Sequence, residues 1–184
     1  MYNFVRINGL EIMKNHCKYL WGLVLLLGLS GCIGDGVGAG TDDVQPGDPL
    51  PGFQLTMEDG SLFDSRNLRE PSLIVFFHTD CPDCQQTLPE VQRAYENYGD
   101  ALRFVAISRE QKAEAVRAWW DEQGITLPFS AQNDRKIYGK FASSGIPRVY
   151  ISDSEAVVRF VFDDRPCPSY ADLAEAIGTV VANL

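Results

Sequence analysis

The stretch Ser72-Leu73-Ile74-Val75-Phe76-Phe77-His78-Thr79-Asp80-Cys81-Pro82-Asp83-Cys84 passes from an unbroken apolar run into a Cys-x-x-Cys pair. Ser72–Phe77 mixes β-branched and aromatic residues without polar alternation, the pattern of a strand buried on both faces. From Cys84 to Tyr98, the apolar Leu88, Val91, Ala94, Tyr95 and Tyr98 recur at helical spacing. The dithiol therefore sits where a buried strand hands over to a helix. At a helix's first turn, unpaired amides and the positive end of the macrodipole stabilise a thiolate. A cysteine there acquires a lowered pKa and enough exposure to react. Cys84, one turn further in, is placed to close a disulfide and to attack a mixed disulfide from inside. Pro82 near the helix start costs nothing, because its missing N–H has no partner there. Pro89 lies beyond the first turn and is expected to kink the helix.

Two plainer roles for the pair compete. A structural disulfide across so short a loop would stabilise little. Half of a zinc site would need a second pair of ligands, and only Cys167 and His78 remain within residues 48–184. The strand–dithiol–helix placement favours redox chemistry.

On either side of this stretch the signals alternate. Phe53–Thr56, the turn Glu58-Asp59-Gly60 and Ser61–Phe63 read as a hairpin. After the first helix come a strand at Leu102–Ile107 and a helix at Lys112–Gln123 closed by Gly124. A short strand at Pro128–Ser130 and a short helix at Asp134–Phe141 follow, with Asp134 near the helix start. Strands at Arg148–Ser152 and Ala156–Phe162 flank a turn at Ser152–Glu155, and a last helix runs from about Ser169 to Ala182. This order predicts an α/β fold: a central mixed sheet, mainly parallel and finished by an antiparallel hairpin, flanked by helices. Trp119-Trp120 is expected to place one ring in the core and one at the surface.

The chain has 184 residues, enough for one domain plus extras, and a net charge of −9. The charge becomes more negative once the N-terminal 31 residues are set aside, which argues against nucleic acid as a partner. Of five cysteines, Cys17 and Cys32 lie near the N-terminus. Lys14 and Lys18 precede the apolar run Tyr19–Leu29, and Leu29-Ser30-Gly31-Cys32 follows it. The run is short for a membrane span and has the flanks of a signal peptide. Its ending resembles a lipobox, which makes Cys32 the expected lipidation site of a bacterial lipoprotein; an uncleaved anchor is the alternative. Residues 1–31 are thus read as a leader, with a true start conceivable at Met13. Residues 32–47 read as the lipidated cysteine and a flexible Gly/Asp-rich linker, and 48–184 as the folded domain. Either form of anchor holds the domain outside the cytoplasm on a membrane.

Val75–Cys84 resembles the active-site stretch of thioredoxin-like proteins, and Ser144-Gly145-Ile146-Pro147-Arg148-Val149-Tyr150-Ile151 resembles their cis-proline loop and following strand. Gly124–Pro128 followed by Asp134–Phe141 is similar to the extra strand–helix insertion of the TlpA/ResA type, which are membrane-tethered thiol–disulfide oxidoreductases. The resemblance spans roughly residues 48–184. It implies a thioredoxin-like fold with Cys81 as attacking thiol and Cys84 as resolving thiol. It also implies a cis Pro147 set against the dithiol and an Ile146 backbone that pairs with an extended substrate peptide. No organic cofactor and no metal are implied. The implied partners are client proteins carrying disulfides and a membrane electron donor or acceptor that recycles the dithiol.

The chain departs from that pattern at several positions. Asp80 replaces the usual Trp before the first cysteine, and Asp83 lies between the two. Carboxylates beside a thiolate disfavour its charge, so a reductase or isomerase is expected over an oxidase; full solvation of both would make the effect small. Val75 stands where thioredoxin has a buried Asp, and Thr87 where ResA-like members carry a Glu. Proton transfer at Cys84 must then use Asp83, Asp80, His78 or water. His78 is a candidate for tuning Cys81, or simply a polar strand cap. Cys167 is read as a loop thiol: a spectator, a third redox thiol or a dimer bridge. The rival functions are a thioredoxin-fold peroxidase, a copper or haem-maturation chaperone binding through the same cysteines, and a redox-dead interaction module. Against the peroxidase, His78 and Ile74 occupy positions where that chemistry uses Thr and Pro.

Overall fold

The computed structural model describes residues 43–182. The elements are β1 (Gln54–Thr56), β2 (Leu62–Asp64), β3 (Ser72–Phe77), α1 (Pro82–Tyr98), β4 (Arg103–Ser108), α2 (Ala113–Gln123), β5 (Phe129–Ser130), β6 (Arg148–Ser152), β7 (Val158–Phe162) and α3 (Tyr170–Val181). The five-stranded sheet has the order β5-β4-β3-β6-β7, while β1 and β2 form a separate antiparallel hairpin. β3 pairs parallel with β4 and antiparallel with β6, so the sheet is mixed, as expected.

β3 occupies the centre because Leu73–Phe77 are apolar enough to lose both faces to the interior, while the buried Ser72 hydroxyl is satisfied by Ser152 Oγ at 2.7 Å. Leu73, Val75 and Phe77 point into one core with Leu88 and Val91 of α1, Trp120 of α2 and Leu173 and Ile177 of α3. Ile74 and Phe76 point into a second core with Phe53, Tyr138, Phe141 and Tyr150. All five are fully buried, each contributing about 1.5–3 kcal/mol on burial. Trp120 is buried against Phe77 and Phe129 and donates its indole N–H to the Leu127 carbonyl at 2.9 Å, while Trp119 is only half-buried.

Beyond shifts of a residue or two at element ends, two assignments differ from the sequence reading. The helix expected at Asp134–Phe141 is a single 3₁₀ turn, Tyr138–Lys140. Asp134 accepts the Lys136 N–H at 2.9 Å in a local side-chain turn that competes with helix formation, and Tyr138 and Phe141 are pinned in the second core. Helix α1 begins at Pro82, as the dithiol's place at a helix start predicts, and runs through Pro89 to Tyr98. Residues 43–47, assigned from composition to the linker, pack on the domain. Val44 is buried and donates its N–H to Phe141 O at 2.8 Å, and Asp43 pairs with Arg148 at 2.8 Å. Cys32, the leader and the remainder of the linker lie outside the described residues. Among the described residues, no helix is long and apolar enough to cross a membrane.

Candidate active site

The turn between β3 and α1 is built before the cysteines are reached. Thr79 is buried, and its N–H donates to Gln111 Oε1 at 2.9 Å while Gln111 Nε2 donates to Thr79 Oγ1 at 2.6 Å. Gln85 Nε2 reaches back from α1 to Thr79 O at 2.8 Å. His78 is half-buried and takes the Asp80 N–H on Nδ1 at 3.1 Å. Asp80 itself is exposed, with its carboxylate 3.8 Å from the same nitrogen. The His78 carbonyl accepts the Cys81 N–H at 3.1 Å.

Cys81 is the N-cap of α1, with extended backbone, and Pro82 fills the first helical position. Cys81 is half-buried and Cys84 fully buried, and both are free thiols. Burial pushes the Cys84 thiol far above the ordinary cysteine range; the His78 backbone and the Arg109 charge oppose that rise, and neighbouring Cys81 adds to it. The arrangement is asymmetric: one thiol meets solvent at a helix N-terminus, and the other is held neutral beneath it.

The Ile146–Pro147 peptide bond is cis and presents the Ile146 carbonyl 3.6 Å from Cys81 Sγ. The Ile146 N–H has no protein partner among the described residues. Tyr138 supports this loop from below by donating its hydroxyl to Gly145 O. Gly145 adopts φ 84°, a left-handed conformation that favours glycine. Arg148 braces the far side through Ser144 O at 3.1 Å and Asp43 at 2.8 Å. The Ser143 backbone N–H, with help from Arg148, holds the Asp43 carboxyl below its usual value despite partial burial.

Tertiary structure gathers Cys81, Cys84, Ile146, Pro147, His78, Asp80, Asp83 and Thr87 into one place. Asp83 is exposed, and Thr87 is fully buried with its hydroxyl making no hydrogen bond. Sequence reading missed Gln111, Arg109 and Tyr138. Arg109 and Gln111 follow β4, the parallel neighbour of β3, and the carboxyl edge of such strands is where sites assemble; that position was the available signal. Cys167 is closer to the site than its loop suggested, with Sγ 3.8 Å from the Asp83 carbonyl. The adjoining Arg165–Pro166 bond is a second cis bond that sequence reading did not anticipate. Among the described residues, no group of three or more His, Cys, Asp or Glu is arranged to hold a metal ion.

Residues 46–161 match the model of the family described as AhpC/TSA. Thioredoxin-like protein YneN of Bacillus subtilis is 30% identical over 123 residues, covering 63% of this chain and 70% of the relative. Thiol-disulfide oxidoreductase ResA of Bacillus subtilis is 23% identical over 138 residues, covering 74% and 77%. The relative named "Putative peroxiredoxin Rv2521", from Mycobacterium tuberculosis, is 28% identical over 128 residues, covering 66% and 79%. Among solved structures, a thiol:disulfide interchange protein of the thioredoxin family from Chlorobium tepidum superposes with a TM-score of 0.64 at 24% identity, covering 76% of this chain and 99% of that one. The fold is therefore that of thioredoxin.

Proposed function

This chain belongs to the AhpC/TSA family and is a thiol–disulfide oxidoreductase, and from that premise we propose that it reduces or isomerises disulfides of client proteins outside the cytoplasm. The observation that carries the reading is the dithiol geometry: a half-exposed Cys81 capping α1, 3.6 Å from the carbonyl before cis Pro147, above a fully buried Cys84. Cys81 attacks a client disulfide, and Cys84 then resolves the mixed disulfide and leaves the pair oxidised. The Ile146 backbone, with its N–H unpaired, receives the extended client segment beside the attacked sulfur. A membrane electron donor re-reduces the pair. Cys32, at the end of Leu29-Ser30-Gly31-Cys32, carries the lipid that keeps the domain at the membrane, and its leader is what supports an extracytoplasmic site.

The reduction potential of the Cys81–Cys84 pair in the full-length chain tests this. The protein is equilibrated in graded dithiol/disulfide buffers and its thiols are scored by alkylation mass shift. A reversible two-electron transition near −270 mV, the region of thioredoxin, fits a reductant, and one near −120 mV an oxidant. A pair that does not cycle ends the proposal.

A second reading, thiol peroxidase, is favoured by the peroxiredoxin name that two relatives from Mycobacterium tuberculosis strains carry. Two features oppose it: His78 holds the position where that chemistry uses Thr, and the neighbouring Thr79 hydroxyl is tied to Gln111 at 2.6 Å. Peroxide consumption by the reduced protein separates the two readings.

A further inference from the structure

We propose that Asp43 is a positioning residue for client recognition: its carboxylate clasps the two flanks of the cis-proline loop and holds the Ile146 backbone in the shape that receives an extended peptide. The inference rests on the dithiol reading above and adds to it a residue from the segment ahead of β1.

Residues 142–147, which end in cis Pro147, belong to no helix or strand, so no backbone ladder fixes the Ile146 peptide. Asp43 reaches this loop from both ends. Its Oδ1 accepts the Ser143 N–H at 2.8 Å and the Ser143 hydroxyl at 3.0 Å, upstream of Ile146. Its Oδ2 accepts from Nη2 of Arg148, the residue after Pro147, at 2.8 Å. The same Nη2 donates to Ser144 O at 3.1 Å. The guanidinium therefore folds back over Gly145, where an added Cβ would lie 3.6 Å from it. One carboxylate thus ties Ser143 to Arg148, with Ile146 and Pro147 in the span between.

The clasp is itself anchored. Val44 is buried, and its N–H donates to Phe141 O at 2.8 Å, which fixes the backbone next to Asp43. The Asp43 and Arg148 side chains are 20% and 14% exposed, so the pair is largely shielded from solvent. Removing Asp43 leaves Arg148 a mostly buried cation with no other carboxylate paired to it among the described residues, a costly state. Tyr138 holds Gly145 O independently, so loss of Asp43 frees the flanks of the loop while its middle stays tied.

What the clasp holds is the surface a client meets. The Ile146 carbonyl lies 3.6 Å from Cys81 Sγ, and the Ile146 N–H has no protein partner among the described residues. A loop already in its bound shape spares the complex the cost of ordering it. The step affected is the first exchange. The Cys81 thiolate attacks one sulfur of the client disulfide. The Cys81–client S–S bond forms, the client S–S bond breaks, and the other client sulfur leaves as a thiolate that takes up a proton. A disulfide without a peptide backbone undergoes the same exchange but makes no pairing with Ile146.

The test uses reduced full-length protein and two disulfides with a common leaving group. One is bis(2-hydroxyethyl) disulfide; the other is an extended peptide whose single cysteine carries 2-mercaptoethanol. Oxidation of the dithiol is followed by alkylation mass shift under single-turnover conditions. Asp43→Ala is expected to lower the peptide rate by about five- to tenfold, the equivalent of one backbone hydrogen bond. Its rate with the small disulfide should stay within about twofold of native, because the thiolate and its access are unchanged. Asp43→Asn keeps an oxygen for Ser143 but loses the charge facing Arg148. It should fall between native and Asp43→Ala, and with the peptide alone. A peptide rate within about twofold of native in Asp43→Ala overturns the inference. Equal slowing with both disulfides overturns it too, because a general loss of the site would then explain the effect. If Asp43→Ala does not fold, Asp43→Asn carries the same two comparisons. If native protein reacts with neither disulfide, the oxidoreductase reading itself fails.

Discussion

Replacing Gln111 by Met should loosen the active-site turn, and the cost follows from two hydrogen bonds. Met keeps the length and flexibility of the side chain, so packing changes little, but both bonds to Thr79 are lost. Thr79 is 5% exposed, so its N–H is left without a partner in the interior. A stranded buried donor costs about 1–3 kcal/mol, and loss of the hydroxyl contact adds about 1 kcal/mol. The sum is roughly 2–4 kcal/mol, a large share of the 5–15 kcal/mol that stabilises a typical domain. In urea, with a mid-range m of about 2 kcal/mol/M, the unfolding midpoint should fall by roughly 1–2 M at unchanged m. A midpoint within roughly 0.3 M of native would refute the clamp, because at that m it corresponds to less than about 1 kcal/mol.

Cys84→Ser should accumulate a stable mixed disulfide between Cys81 and a disulfide peptide, and Cys81→Ser should accumulate none; non-reducing electrophoresis reads both. Tyr138→Phe keeps the ring against Phe76 and beneath Arg109 but loses the donor to Gly145 O, so it should cost about 0.5–1.5 kcal/mol in urea melts. Tyr138→Leu also loses the aromatic contacts and should cost more. Asp43 has a lowered folded-state pKa, so its contribution is present above the unfolded value near 3.8 and disappears as pH falls through the lower folded value. Native protein should therefore be more stable than Asp43→Asn at pH 6, with the gap closing as pH falls below the unfolded value and through the lowered folded one; a pH-independent gap would contradict the assignment.

Much of the architecture is legible locally. Ser72–Phe77 reads as central because Leu73–Phe77 are five consecutive apolar residues with no polar face to offer solvent, and the alternation around it points to an α/β sheet. Cys81 and Cys84 are equally legible, because a dithiol at a strand-to-helix junction has its chemistry set by the helix terminus it occupies. The short helix expected at Asp134–Phe141 failed for a local reason with a tertiary cause: an Asp side-chain turn competes with the helix, and two aromatic anchors decide the contest by burial. Residues 43–47 look like linker by composition, yet Val44 and Asp43 each find a partner about one hundred residues away.

By itself, the sequence determined which strand is central, which helix the dithiol opens and which cysteine lies outermost, because periodicity and helix-end chemistry act over a few neighbouring residues. Only the tertiary structure decided what surrounds the thiols. Gln111 clamps Thr79, Tyr138 props the cis-proline loop, Asp43 bridges the flanks of that loop and Cys167 reaches the Asp83 carbonyl. Apart from Tyr138, seven residues from Gly145, these contacts join residues far apart in the chain, and pairing across such separations depends on sheet register and core packing, which no local pattern encodes.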